Sequence, residues 1–107
     1  MLRWITFAAI ALFALAAHAA VPEFHLVVQD HKFQPTEIQV PAGQKFKLIV
    51  ENKDASPEEF ESADLNREKV VIGNGSIDVY LGPLEPGKYG FFGDFHQDTA
   101  QGVLIAK

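Results

Sequence analysis

The chain has 107 residues, no cysteine, 14 acidic and nine basic residues, and a formal net charge of −5. That length is enough for one domain, and without cysteine neither a disulfide nor a thiolate metal ligand can form. The acidic balance and the lack of a basic patch set nucleic acid aside as a partner and favour cations or a basic protein surface.

The chain opens on MLRW, with one positive charge at Arg3, and continues into the apolar run ITFAAIALFALAA. Ala17-His18-Ala19 then places small residues where a signal peptidase reads them. This is the pattern of a secretory signal cleaved after Ala19; the run is short for a membrane span of about 20 residues. The expected organisation is therefore a signal peptide over 1–19 and one domain over 20–107. Removing Arg3 leaves eight basic against 14 acidic residues, a net charge of −6.

Past the signal, period-two alternation and short apolar runs recur between turn residues, as in an antiparallel sandwich or barrel. Strands are expected at EFHLVVQD (23–30), TEIQV (36–40) and KFKLIVEN (45–52), the last with Phe46, Leu48 and Val50 on one face. EEFES (58–62) is a fourth. ASPEEFESADLNREK (55–69) is the least regular section, with a turn of helix expected at ADLNREK, capped by Asp64. EKVVIG and SIDVYLG flank Asn74-Gly75, a pair that tolerates the two positive φ angles of a tight hairpin. KYGFF (88–92) and GVLIAK (102–107) close an all-β fold of seven to eight strands.

Two clusters carry possible chemistry. Between the last two strands, His96 has Asp94 and Asp98 two residues away on either side, a donor set suited to divalent metals such as Fe(II). A polar surface loop with a chance histidine fits the same spacing. His25 in the first strand and His31 at its end read as surface residues. The second cluster is Glu58, Glu59 and Glu61 around Phe60. If Phe60 points into the core, strand parity sends Glu58 inward with it and Glu59 and Glu61 the other way. An inward carboxylate is costly unless it is paired or protonated; an exposed acidic edge is the plain alternative.

FQPTEIQVPAGQKFKLIVENKDASPEEFE, followed by GKYGFFGDFHQDTAQGVLIAK, resembles the cupredoxins over nearly all of residues 20–107. The resemblance implies a Greek-key β-sandwich with a metal site at one end. It also locates the copper ligands of that family one by one. Glu58, after Pro57, stands at the first histidine, Gly93 at the cysteine, His96 at the second histidine and Gln101 at the axial methionine. A blue copper site is therefore not expected.

E-F-E-S combined with F-F-G-D-F-H further resembles small cupredoxin-like proteins found with bacterial iron-uptake permeases, relatives of the N-terminal domain of EfeO-type proteins. That likeness implies a periplasmic protein binding iron or copper through Glu58, Glu59, Glu61, Asp94 and His96. It would oxidise ferrous iron, or deliver it, in partnership with an inner-membrane iron permease and periplasmic iron-binding proteins. The alternative is a non-catalytic copper or divalent-metal carrier, or a metal-free interaction module.

Overall fold

A computed structural model describes residues 20–107. The segment assigned to the signal, 1–19, lies outside the described residues. None of the described helices is long and apolar enough to cross a membrane.

Among the described residues, nine strands form two packed sheets. The first sheet has the order β2-β1-β4-β7: β1 is Glu23–Gln29, β2 Lys32–Gln34, β4 Phe46–Asn52 and β7 Ser76–Leu81. The second has the order β3-β9-β8-β5-β6: β3 is Glu37–Val40, β5 Glu58–Ser62, β6 Arg67–Val71, β8 Gly87–Gly93 and β9 Gln101–Ala106. A single turn of 3-10 helix, Asp94–His96, interrupts the β8–β9 connection. The pairing is mixed rather than purely antiparallel, because β1 runs parallel to β4 and β3 parallel to β9. The chain leaves the first sheet after β2, forms β3 on the edge of the second and returns as β4, so β4 re-enters in the direction of β1.

Alternation positions the core. In β4, Phe46, Leu48, Val50 and Asn52 are buried in turn, as the period of two requires. Phe33, Phe60 and Phe91 meet between the sheets, with ring centroids 5.2 Å apart for Phe33–Phe91 and 5.4 Å for Phe60–Phe91. Aromatic pairs at such spacings add about 0.5–1.5 kcal/mol each beyond the area they bury. Phe91 also explains Gly102: a Cβ there would sit 2.4 Å from its ring.

Three local expectations are corrected. Residues 63–69 hold no helix. Asn66, at φ 53°, donates its N–H to Ala63 O, and the chain reverses into β6 as a β5–β6 hairpin. Asp64 caps no helix; its carboxylate accepts Gly90 N–H from β8 at 2.8 Å. Asn74-Gly75 does not close a hairpin either. Strand β6 pairs with β5 and β7 with β4, so the turn carries the chain from one sheet to the other. Of its two residues only Asn74 has positive φ. Both strands reach the core, β6 through Val71 and β7 through Val79 and Leu81, while Val70 and Ile72 face solvent. Strand β2, too short to show a period, is an addition to the expected set.

Candidate functional site

Three connections meet at one end of the sandwich: the β1–β2 turn, residues 53–57 between β4 and β5, and the loop between β8 and β9. Buried Asn52 shapes the second of these. Its side-chain amide donates to Ser56 O and Val71 O, and its Oδ1 accepts Asp54 N–H. The tightened turn delivers Glu58 to the start of β5 with its side chain inward.

Glu58 is 1% exposed, which meets the inward parity read from the sequence. The cost of burying a carboxylate is offset by three N–H donors. Oε1 accepts from the backbone of Glu59 and of Phe95, each at 2.9 Å. Oε2 lies 2.6 Å from His96 Nδ1. An imidazole is ordinarily more basic than a carboxylate, so the shared proton resides on Nδ1. In the neutral ring that fixes the tautomer and puts the lone pair on Nε2; the side chain is 25% exposed.

The same carboxylate accounts for Gly93. A Cβ at position 93 would stand 2.6 Å from Glu58 Cδ, 2.8 Å from Glu58 Oε2 and 2.7 Å from Ala100 Cβ. Any side chain at the position that resembles the copper-ligating cysteine would collide with the residue at the position that resembles the first histidine. The two departures from the blue copper pattern are therefore one coupled change. Together they fill the space with an internally satisfied carboxylate.

Glu59 and Glu61 point the other way, to the outer face of the second sheet. Glu59, Glu61 and Asp94 bring carboxylate oxygens within 4.8 Å of one another. Glu61 also lies directly across from Glu68 of β6. The Glu59 carboxyl is pushed up to about 7, first by loss of surrounding water, then by the hydrogen bond to and charge of Glu68, then by Glu61 and Asp94. The five residues expected to share one site thus form two groups, the inward pair Glu58–His96 and the outer group Glu59–Glu61–Asp94. One 3-10 turn carries both Asp94 and His96.

His31, read from the sequence as a solvated turn residue, belongs to this end of the molecule. Its ring stacks on that of His96 with centroids 3.5 Å apart and planes 13° from parallel. Asp30 and His31 both have positive φ and make the two-residue β1–β2 turn. Asp54 fastens that turn by accepting Asp30 N–H at 2.8 Å and His31 N–H at 3.0 Å. These contacts, His31 first, hold the Asp54 carboxyl below the usual carboxylate range against the opposing effect of burial, and the charges of His31 and His96 add to them. Thr99 Oγ1 donates to His31 O from the β8–β9 loop. The available signal was Asp-His between two alternating segments, since both residue types tolerate positive φ better than most.

Comparison with known proteins follows this geometry. The model of the cupredoxin-like domain family matches residues 2–106. The chain belongs to the cupredoxin-like domain family. An uncharacterized protein of Rickettsia prowazekii (strain Madrid E) is 54% identical over 83 residues, 78% of this chain; the match spans 66% of that protein's length. Auracyanin A, a blue copper protein from Chloroflexus aurantiacus, superposes with a TM-score of 0.69 at 17% identity, covering 79% of this chain and 98% of its own. The metal-binding domain of a Cu(I)-exporting P-type ATPase of Streptococcus pneumoniae D39, solved with Cu(I), gives 0.71 at 13% identity, covering 79% and 84%. At such identities the two structures establish the fold alone. Within this cupredoxin-like chain the absence of cysteine excludes a type 1 copper site.

Proposed function

We propose that this cupredoxin-like protein binds ferrous iron through the carboxylates of Glu59, Glu61 and Asp94, the group on the outer face of the second sheet. The observation that carries the reading is the gathering of three carboxylates within 4.8 Å of one another, where loss of surrounding water first, then Glu68, then Glu61 and Asp94 push the Glu59 carboxyl up to about 7. A divalent cation relieves the repulsion among them by displacing the proton. Oxygen donors favour the ferric over the ferrous state, so iron in this group is easier to oxidise than iron on thiolates. Glu58 acts on His96 rather than on the ion, holding its Nδ1.

In this reading iron is cargo or substrate. The protein works in the periplasm after loss of residues 1–19, and oxidises ferrous iron or passes it to an inner-membrane permease and periplasmic iron-binding proteins. The support for that setting is the resemblance of E-F-E-S and F-F-G-D-F-H to proteins of iron-uptake systems, including the N-terminal domain of EfeO-type proteins. Intact mass of the native protein tests the processing: a first residue of Ala20 is expected, and retention of 1–19 with the membrane fraction overturns it.

The metal assignment is tested by anaerobic titration of the stripped protein with Fe(II). Glu59→Gln/Glu61→Gln should weaken binding at least about tenfold, roughly 1.4 kcal/mol, with His25→Ala unchanged. Equal binding by the wild type and the double variant refutes the carboxylate site. A copper or divalent-metal carrier is the second reading, favoured by the partly exposed imidazole of His96, whose other nitrogen is not taken by Glu58.

A further inference from the structure

The carboxylate group leaves unexplained the stacked imidazoles of His31 and His96. Burial does not account for the stack, because His31 is exposed and contributes nothing to the core. The chain nonetheless fixes this contact from three sides. Asp54 holds the backbone of His31 through two N–H groups, Thr99 holds its carbonyl, and Glu58 holds His96 through Nδ1. The tied elements are the three connections that converge at this end. Their outcome is two imidazoles in van der Waals contact with two carboxylates beside them, one serving each histidine.

We propose that His31 and His96 form a two-imidazole site for an imidazole-preferring divalent ion of the Cu(II) or Zn(II) class. The stacked arrangement is not itself the ligating one. Imidazole lone pairs lie in the ring plane, and rings 3.5 Å apart and 13° from parallel cannot both direct a nitrogen at one ion. Binding therefore requires one ring to turn out of the stack. His96 is held at Nδ1, so the ring that turns is His31, which is exposed and tied only through its backbone. Asp54 is a positioning residue: its oxygens keep the turn, not the ring, in place, and its charge offsets part of that of the incoming ion. This site uses none of Glu59, Glu61 and Asp94, so it stands or falls separately from the carboxylate reading.

The experiment is titration of the stripped protein, residues 20–107, with Cu(II) alone, read by calorimetry and by the nitrogen hyperfine structure in electron paramagnetic resonance. Two coupled nitrogens are expected in the wild type and one in His31→Asn, with binding at least tenfold weaker. Asparagine is chosen because it tolerates the positive φ of position 31 and so preserves the turn. A measurement on the wild type removes dependence on any variant's folding: with ¹⁵N-labelled histidine, Zn(II) should shift the imidazole resonances of both His31 and His96 and leave His25 in place. His31→Asn binding Cu(II) as tightly as wild type, or retaining two coupled nitrogens, overturns the proposal. So does a Zn(II) shift confined to His96. Loss of Cu(II) binding in Glu59→Gln/Glu61→Gln with no effect of His31→Asn overturns it too, and assigns copper to the carboxylates instead.

Discussion

Replacing Gly93 by alanine isolates the steric coupling at the centre of the site. The backbone at Gly93 is extended, with φ −92° and ψ 111°, so alanine is allowed there without strain. Loss of glycine's freedom in the unfolded chain would by itself stabilise the fold by about 0.4–1 kcal/mol. The new methyl group, however, falls 2.6 Å from Glu58 Cδ and 2.7 Å from Ala100 Cβ, well inside ordinary contact. Overpacking of this kind costs about 1–3 kcal/mol. Glu58 has no free direction to move in, because all three of its donors are fixed, and each one it abandons adds about 1–3 kcal/mol. With one donor lost, the net expectation is a destabilisation of about 2–4 kcal/mol. Each kcal/mol lowers Tm by about 4–8 °C in a domain of this size. The assay is chemical denaturation of wild type, Gly93→Ala, Glu58→Ala and the double variant. In the Glu58→Ala background the two close contacts with Glu58 are gone and that with Ala100 remains, so the cost of alanine at 93 should fall by more than about 1 kcal/mol. If Gly93→Ala costs the same in both backgrounds, within the roughly 0.5 kcal/mol expected of independent sites, the two positions are not coupled and the steric account is wrong.

The raised carboxyl of Glu59 gives a pH signature of known sign. Its folded pKa of about 7 lies above the ordinary 4.5, so its contribution to stability is full below 4.5 and is lost as pH rises through about 7; Glu59→Gln should flatten Tm across that window. Glu58→Gln keeps the size of the side chain but sets an amide donor against His96 Nδ1, moving the imidazole proton to Nε2. Nitrogen chemical shifts of His96 should report the exchanged tautomer, and Cu(II) binding should weaken with it. Cu(II)-loaded protein should show no intense thiolate-to-copper band in its visible spectrum, because Gly93 stands where a thiolate would be; such a band would sink the ligand comparison. Asn52→Ala should cost about 1–3 kcal/mol by leaving Val71 O and Asp54 N–H without their partner, measured by denaturant unfolding.

The parts of this molecule legible in its sequence are those governed by a local period. The inward setting of Phe46, Leu48 and Val50, and that of Glu58 with Phe60 and Ser62, follows from alternation alone. What alternation does not encode is the partner. EKVVIG and SIDVYLG look like the arms of a hairpin because Asn74-Gly75 fits a tight turn, yet the two strands join different sheets. The pairing of β6 with β5 and of β7 with β4 separates the alternatives, since both strands bury residues in the core. ADLNREK failed for a related reason. Asn66 in a left-handed conformation reverses the chain, and the carboxylate of Asp64 serves Gly90 across the sheet rather than a helix end. His31 could not be placed from spacing at all, because what brings it to His96 is Asp54 and Thr99, 23 and 68 residues away.

These long-range ties also explain how a copper-type scaffold persists without copper-type ligands. A cupredoxin-like end consists of connections whose positions are set by the strands, so it brings residues 31, 58 and 96 together whatever their side chains. Substituting glutamate at 58 alone would bury a carboxylate against a side chain at 93. Removing the side chain at 93 alone would open a void beside Ala100. Made together, the changes convert the pocket into a closed hydrogen-bonded unit with no buried polar side-chain atom left unpaired among the described residues. The imidazole at 96 has its Nδ1 taken by the carboxylate, stacks on the ring of His31 and shares a turn with Asp94. On the proposed reading a metal at this end is held by groups at the surface, where it enters and leaves without rearranging the core, as suits a protein that takes up and passes on a metal.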